Sequence, residues 1–347
     1  MSKVLFILKR RLDYNAIIHS HIGMSTGLYN SASFMNEMLV ESDIDSVLEV
    51  AADYNQIDRF VTQHKPKYAI IEALWVIPSK FAVLQKLHPD VKWIIRLHSD
   101  MPFLAGEGMS MNWIGDYFKF KNIVIAANSP RMLAEMKTYY QTICYDGNVD
   151  DKVIYLPNYY PQDYSTKKLD KNKDIIDVAC FGAIRPLKNH LIQAFAAIDF
   201  ANRIDKKLRF HVNAGRIEMQ GGPVINNLKH LFAQLSDSGH EMINHSWRPR
   251  DEFLELCCQM DIGLQVSFSE TFNIVGADLI SQGVPIVGSA EIPWKVPAFS
   301  ADPTDSKDIT DKLLLAYSYP RINVWTNKWS LTHYTNQSKK IWTKYFI

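Results

Sequence analysis

Short runs of apolar and β-branched residues recur along the chain, with amphipathic stretches between them. In the first half the runs are KVLFILK (residues 3–9), SVLEVAA (46–52), YAIIEAL (68–74), VKWIIRLH (91–98), NIVIAAN (122–128) and KVIYLPN (152–158). Apolarity that is nearly continuous, rather than alternating, marks strands covered on both faces, as in a parallel sheet. A helix is predicted from near Thr26 through GLYNSASFMNEMLVES (27–42), with Leu28, Phe34, Met38 and Leu39 near one face. Such alternation of strand and helix predicts a doubly wound α/β domain.

The pattern breaks at residues 157–174, PNYYPQDYSTKKLDKNKD, where two prolines and a run of charges replace it. It then restarts with DVACFGA (177–183), LRFHVNA (208–214), EMINHSW (241–247), DIGLQVS (261–267) and VPIVGS (284–289). The expected organisation is a Rossmann-like domain over 1–160, a linker over 161–174 and a second Rossmann-like domain over 175–325. Ile341, Trp342, Tyr345 and Phe346 form an apolar stripe at helical spacing. That stripe needs a partner, so the helix over 326–347 is expected to return to the first domain.

Bulk properties narrow the class. A chain of 347 residues, 47% hydrophobic and 22% charged, suits two globular domains. The net charge of +1 gives no overall pull towards nucleic acid or an acidic membrane, while leaving room for a local basic patch. Four cysteines (Cys144, Cys180, Cys257 and Cys258) show no CxxC spacing, which fits reduced thiols and a cytoplasmic protein. The first apolar run, residues 4–8, is far shorter than the roughly 18 residues needed to span a bilayer, as is every later one.

In doubly wound sheets, ligands bind beyond the carboxyl ends of the strands. With two such domains, a cleft between them is the expected site. After the run 261–267 comes SETFNIVGADLISQG (269–283), with Glu270 in a loop and Asp278 in a helix starting near Phe272 or Asn273. Helix-initial N–H groups make an anion site, and a carboxylate can accept both hydroxyls of a vicinal diol. The plainer reading is that Glu270 caps the helix and Asp278 faces solvent. After the run 177–183 come Arg185 and Lys188, at the entrance to the next helix. Cations are disfavoured at a helix N-terminus, so two of them there suggest a bound diphosphate, against the plainer reading of solvated basic residues. Gly215 and Arg216 form another turn at a strand end. Residues 245–248 could wall a base pocket, with Trp247 as a stacking face or simply as packing.

These stretches together resemble a known family. SETFNIVGADLISQGVPIVGS (269–289) is similar to the glutamate-x7-glutamate signature of retaining GT-B glycosyltransferases of the family 4 type. FGAIRPLKNH (181–190) resembles their glycine, arginine and lysine stretch. VIYLPN (153–158) resembles the exit from their first domain, and GMSTGLYNSASFMNEML (23–39) their glycine loop and first helix. Two positions depart from the pattern. Asp278 stands where the second glutamate is usual, and Ala183 where an arginine often follows the glycine, with Arg185 two residues later. The resemblance implies a GT-B fold and a UDP- or GDP-sugar donor as substrate, with no prosthetic group and no essential metal. It implies that Glu270 reads the sugar's hydroxyls and Asp278 the ribose. Thr271, Phe272 and Asn273 would receive sugar and phosphate at the helix start, and Gly27, Arg185, Lys188, Gly215 and Arg216 would complete the donor set.

The acceptor side carries fewer signals. By the resemblance, His98 is a cleft histidine that orients an acceptor hydroxyl or stabilises charge, and it joins Glu270 as a catalytic candidate; a structural histidine is the plainer reading. Asp100 lies beside it, and the long loop over 9–27 opens with Arg10 and Arg11, which could meet a phosphate. Asp43–Asp45 sits at the wrong end of the sheet for a metal, and His19 and His21 lack further ligands. EALWVIPSKF (72–81) and RLHSDMPFLAGEG (96–108) resemble glycosyltransferases carried by large bacteriophages. That adds hydroxymethylated pyrimidine in phage DNA, in the host cytoplasm, to glycans as an acceptor class. The expected function is a retaining sugar transfer from a nucleotide-sugar. The alternatives are an epimerase of the same fold, a non-enzymatic nucleotide-binding module, and a nicotinamide oxidoreductase using Glu49. Against the last, Gly23 and Gly27 do not form GxGxxG.

Overall fold

Five consecutive apolar residues, 4–8, are all buried, and they make up most of the first strand. The computed structural model describes residues 3–10, 26–143, 147–165 and 169–347. These form two compact units, Met1–Pro161 with Tyr334–Ile347, and Gln162–His333.

The first unit contains β1 (Val4–Lys9), α1 (Thr26–Val40), β2 (Ser46–Ala51), α2 (Gln56–His64), β3 (Tyr68–Glu72), α3 (Pro78–Leu87), β4 (Lys92–Leu97), α4 (Met101–Leu104), α5 (Ser110–Phe118), β5 (Ile123–Ala127), α6 (Pro130–Ile143) and β6 (Val153–Tyr155). Its six strands are parallel, in the order β2-β1-β3-β4-β5-β6. Each run read from the sequence holds one of them. Leu5, Ile7, Ile71, Trp93, Ile95 and Ile125 pack into the core on one face, together with Phe81, Ile114 and Tyr117 of the covering helices.

The other face carries a buried charge. Arg96 of β4 is fully buried, and Glu72 of β3 is its register partner. The guanidinium donates from Nη1 to Glu72 Oε2 at 3.1 Å, from Nε to the Leu156 carbonyl at 3.1 Å, and from Nη2 to Asn158 Oδ1. Ser31 of α1 donates to the same asparagine oxygen at 3.1 Å. A buried cation is tolerated only when paired and fully hydrogen-bonded, and Arg96 meets both conditions.

The second unit contains β7 (Ile175–Ala179), α7 (His190–Arg203), β8 (Lys207–Val212), α8 (Gly221–Ala233), β9 (Glu241–Asn244), α9 (Arg250–Gln259), β10 (Ile262–Gln265), α10 (Ile274–Ser281), β11 (Ile286–Gly288), α11 (Ser306–Ser318) and the start of α12 (Pro320–Phe346). Its five parallel strands run β11-β10-β7-β8-β9. The chain enters at β7, builds outwards to β9, then returns to the other side of β7 with β10. The order therefore reverses between β7 and β10, the switch point where such sheets open a crevice for ligands. A side chain at Gly263 would come within 2.6 Å of Leu279, so glycine lets α10 lie close on β10 there.

α12 starts six residues before the stretch expected to form the last helix. Its first half belongs to the second unit, where buried Asn323 brackets β11, accepting from the Ile286 N–H and donating to the Ile286 carbonyl, both at 2.9 Å. Its last turns belong to the first unit. There Trp342 is buried, stacks on Phe6 at 5.8 Å, lies beneath the Arg96 guanidinium and donates its indole N–H to the Pro157 carbonyl at 2.7 Å.

His190, the first residue of α7, is 1% exposed, and neither ring nitrogen has a hydrogen-bond partner among the described residues. Burial pushes its pKa down to about 3, and the charges of Lys188 and Arg185 act in the same direction. Above the ordinary histidine value of 6.5 it is neutral whether folded or unfolded and adds no pH dependence to stability. Below that, the unfolded chain binds a proton that the folded chain refuses, so stability falls until the pH reaches the folded value. The variant His190→Leu should lose stability less steeply than wild type over this range, by at most about 1.4 kcal/mol per pH unit. Denaturant unfolding at a series of pH values measures it; parallel curves would contradict the assignment.

Candidate active site

The site is built where β7 and β10 lie side by side, with Ile262 opposite Val178 and Gly263 opposite Ala179. Beyond β7 the chain turns at Gly182, whose φ of +121° is costly for any residue with a Cβ. Its N–H donates to Asn213 Oδ1 at 3.2 Å, tying the turn to the end of β8. One 3-10 turn (Pro186–Lys188) follows, and then Asn189 in the left-handed region, with φ of 58°. The Asn189 amide donates to the Val266 carbonyl at 3.1 Å and the Pro303 carbonyl at 2.7 Å. Gln193 accepts from the Val266 N–H at 2.7 Å and donates to the Lys188 carbonyl at 2.8 Å. The backbone of Lys188 is thereby locked to the end of β10.

Across the switch point, Asn273 caps α10. Its side-chain oxygen accepts from the Gly276 N–H at 2.6 Å, and its amide donates to Gln265 Oε1 and Glu270 Oε1, both at 3.0 Å. Thr271 is half-buried in this turn, while Phe272 is buried and accepts from the Trp294 indole at 2.7 Å through its carbonyl. The helix cap is therefore Asn273, and capping does not explain Glu270. Instead Glu270 Oε1 receives the Lys188 ammonium at 2.5 Å, with the side chains 6% and 13% exposed. Lys188 is thus not a solvated surface cation. Both donors to Glu270 reach Oε1; among the described residues none reaches Oε2. The ammonium likewise has two further N–H groups to offer.

Asp278, the second acid, lies on the fifth residue of α10, is 3% exposed and does not face solvent. Its Oδ1 accepts from Arg250, the first residue of α9, at 2.6 Å. Sequence reasoning missed Arg250, although it carries the signal used for Lys188, a cation at a helix start. It also missed Glu218, which holds both Arg216 (Nη2 to Oε1, 2.5 Å) and Arg185 (Nη1 to Oε2, 3.8 Å). Arg216 lies over the Trp247 ring, 5.0 Å from its centre. A Cβ on neighbouring Gly215 would stand 3.3 Å from the Trp247 nitrogen, so the two loops meet closely. Beside them His245 pairs with His211 at 2.8 Å, and His211 with Asp177 at 3.0 Å. Burial, with His211 and Arg248, pushes the His245 pKa down to about 4.

In the first unit, His98 stands directly after β4, and its Nε2 contacts Glu72 Oε2 and lies 3.3 Å from Arg96 Nη1. Burial and the Arg96 charge lower the His98 pKa despite the pull of Glu72 in the other direction. Burial would raise the Glu72 carboxyl, but Arg96 and His98 together hold it below the usual range. At neutral pH the couple is a carboxylate and a neutral imidazole. Asp100 is buried and accepts from Ser129 Oγ at 2.9 Å and Arg131 Nη2 at 3.0 Å. Arg10 is half-buried at the end of β1, its N–H bound to the Ala51 carbonyl at 2.7 Å, and Gly27 lies in the first turn of α1. Arg11, His19 and His21 lie outside the described residues. Among the described residues, no three imidazole, thiol or carboxylate side chains converge as metal ligands.

Compared by sequence, the chain matches no family model and no curated protein. Compared by structure, it is similar to solved glycosyltransferases over their whole length. A UDP-forming α,α-trehalose-phosphate synthase from Burkholderia xenovorans aligns with a TM-score of 0.68 at 12% identity, covering 100% of this chain and 98% of that one. Sucrose-phosphate synthase from Thermosynechococcus elongatus aligns at 0.66 and 10% identity, covering 100% and 99%. Anabaena HepE in complex with UDP-glucose aligns at 0.62 and 11% identity, covering 99% and 100%. The chain has the GT-B glycosyltransferase fold.

The ion pair makes a testable stability claim. Lys188→Met leaves the buried Glu270 carboxylate with only the Asn273 amide, and should cost about 2–4 kcal/mol. Adding Glu270→Gln should restore most of that loss. Denaturant unfolding of the two single variants and the double variant measures the coupling. Additive losses would show that the pair does not hold this turn.

Proposed function

We propose that the chain transfers a sugar from a UDP- or GDP-sugar to an acceptor hydroxyl, with retention of configuration at the anomeric carbon. The observation that carries this reading is the Lys188–Glu270 pair at the β7/β10 switch point, with Oε2 left open. A diphosphate placed there competes for the ammonium. Its arrival relieves Glu270 of a partner, and the carboxylate then accepts hydrogen bonds from the sugar's hydroxyls. The α10 N–H groups, Arg185 and Lys188 stabilise the charge that grows on the departing diphosphate. As the bond from the anomeric carbon to the phosphate oxygen breaks, the acceptor oxygen bonds to that carbon from the same face. The acceptor's proton passes to the diphosphate.

In this reading Asp278, steadied by Arg250, accepts the ribose hydroxyls, and Arg216 with Trp247 lies towards the base. For the acceptor hydroxyl the candidate is His98 of the first unit, whose ring is fixed by Glu72 and kept neutral by burial and the Arg96 charge. Glycans and hydroxymethylated pyrimidines in DNA, including phage DNA in a host cytoplasm, are the acceptor classes to screen.

The two acids should fail differently. Asp278→Asn should weaken binding of the bare nucleoside diphosphate by about 1–3 kcal/mol and raise the donor KM. Glu270→Gln should leave that binding nearly unchanged and lower kcat more than it raises KM, since its contact tightens as charge develops on the sugar. Titration calorimetry with UDP and GDP, followed by donor turnover with and without acceptor, separates the cases. Unaltered donor binding and turnover in both variants would defeat the paired-acid reading, and sugar conversion without any acceptor would point to an epimerase.

A further inference from the structure

The first half of α12 has two dissimilar faces. Asn323, Asn327 and Leu331 are buried against the second unit. On the opposite side Ile322, Trp325 and Trp329 follow one another at spacings of three and four residues, and Tyr319 precedes them by three. Trp325 is 70% exposed and Trp329 66%, while Ile322 and Tyr319 are each more than half exposed. Together they present on the order of 500 Å² of apolar and aromatic surface, a size at which a patch marks an interaction site. Two neighbouring tryptophans left in water at this level are not explained by packing: among the described residues, the ring of Trp329 stacks on His333 of its own helix, at 5.9 Å.

Charge narrows the partner. α12 carries Arg321, Lys328, Lys339, Lys340 and Lys344 and no acidic residue, in a chain with 38 basic and 37 acidic residues. Arg321, Lys340 and Lys344 are exposed, whereas Lys328 is engaged with the Ser165 carbonyl at 2.5 Å. A second copy of the chain would bring two basic, acid-free helices together, which like-charge repulsion opposes. Single-stranded nucleic acid is held in a groove where bases stack between walls, and this face is a convex helix with Ile322 beside the indoles. A flat, anionic, amphipathic surface suits both features. Indoles settle at the boundary between headgroup and acyl chain, and cations draw the helix to acidic headgroups. No described helix is long and apolar enough to cross a membrane, so the attachment is peripheral.

We propose that Tyr319, Ile322, Trp325 and Trp329 dock the chain on an anionic lipid bilayer. This surface shares no residue with the Lys188–Glu270 site and does not depend on the reaction assigned to it. The test is co-sedimentation of the full chain with vesicles of phosphatidylcholine alone and of phosphatidylcholine with phosphatidylglycerol. The chain should pellet with the anionic vesicles only, with a blue shift in tryptophan emission, and high salt should release it. Trp325→Ser combined with Trp329→Ser should weaken vesicle binding at least about tenfold, while the unfolding midpoint and nucleotide binding stay as in wild type. Absence of sedimentation with anionic vesicles would overturn the proposal, as would binding that survives the double substitution. A dimer in light scattering that the double substitution dissolves would assign the face to a second copy instead, and loss of single-stranded DNA binding in that variant would assign it to nucleic acid.

Discussion

A lysine and a glutamate brought together at the end of two neighbouring strands set the local architecture of the second unit. Charges this far from water cost free energy to bury, and their attraction barely offsets it, so a hydrophobic pair would serve stability as well or better. Yet the surrounding chain is arranged to present these two. Asn189 and Gln193 pin the backbone of Lys188 to the end of β10, and Asn273 holds Glu270 while capping α10. The pair also sits where the strand order reverses, the one place in such a sheet where neighbouring loops part in opposite directions.

The two units bury charge in two different ways. Arg96 spends all three of its guanidinium nitrogens on Glu72, Leu156 and Asn158, and Trp342 lies beneath it. No guanidinium nitrogen lacks a partner, and its contribution is to tie β3, β4, the exit of β6 and the last turns of α12 together. Among the described residues, Glu270 is held by one oxygen, and Lys188 by one of its three N–H groups. A network with capacity left over at a strand end can exchange a partner for a ligand. Glu72 belongs partly to both kinds, since it anchors Arg96 and also fixes the ring of His98 at the edge of the cluster.

Most of the eleven strands are legible because strands buried on both faces leave unbroken apolar runs, and turns break them; β2 and β9, only partly covered, show as shorter apolar stretches between the same turns. Glu270, Lys188 and Arg185 were legible because they follow strands and carry charge where a helix begins. Their partners were not. Glu72 meets Arg96 only when β3 and β4 align in register, and Glu218 and Arg250 reach their partners across loops and helices distant in sequence. The sequence does not say that Asn273 rather than Glu270 is the cap, since both precede the helix within hydrogen-bonding reach. The exposed face of Trp325 and Trp329 is hidden in the sequence for a different reason. Periodicity reveals a helix face, but only the packed structure shows which apolar face lacks a cover.

The central claim is that the Lys188–Glu270 pair opens to a nucleotide-sugar. A crystal structure of the full chain with a bound, non-transferable UDP- or GDP-sugar tests it most directly. The account predicts a phosphate oxygen within hydrogen-bond distance of Lys188 Nζ and at least one sugar hydroxyl donating to Glu270. A ligand seated elsewhere, with the ion pair intact and out of contact, would contradict it.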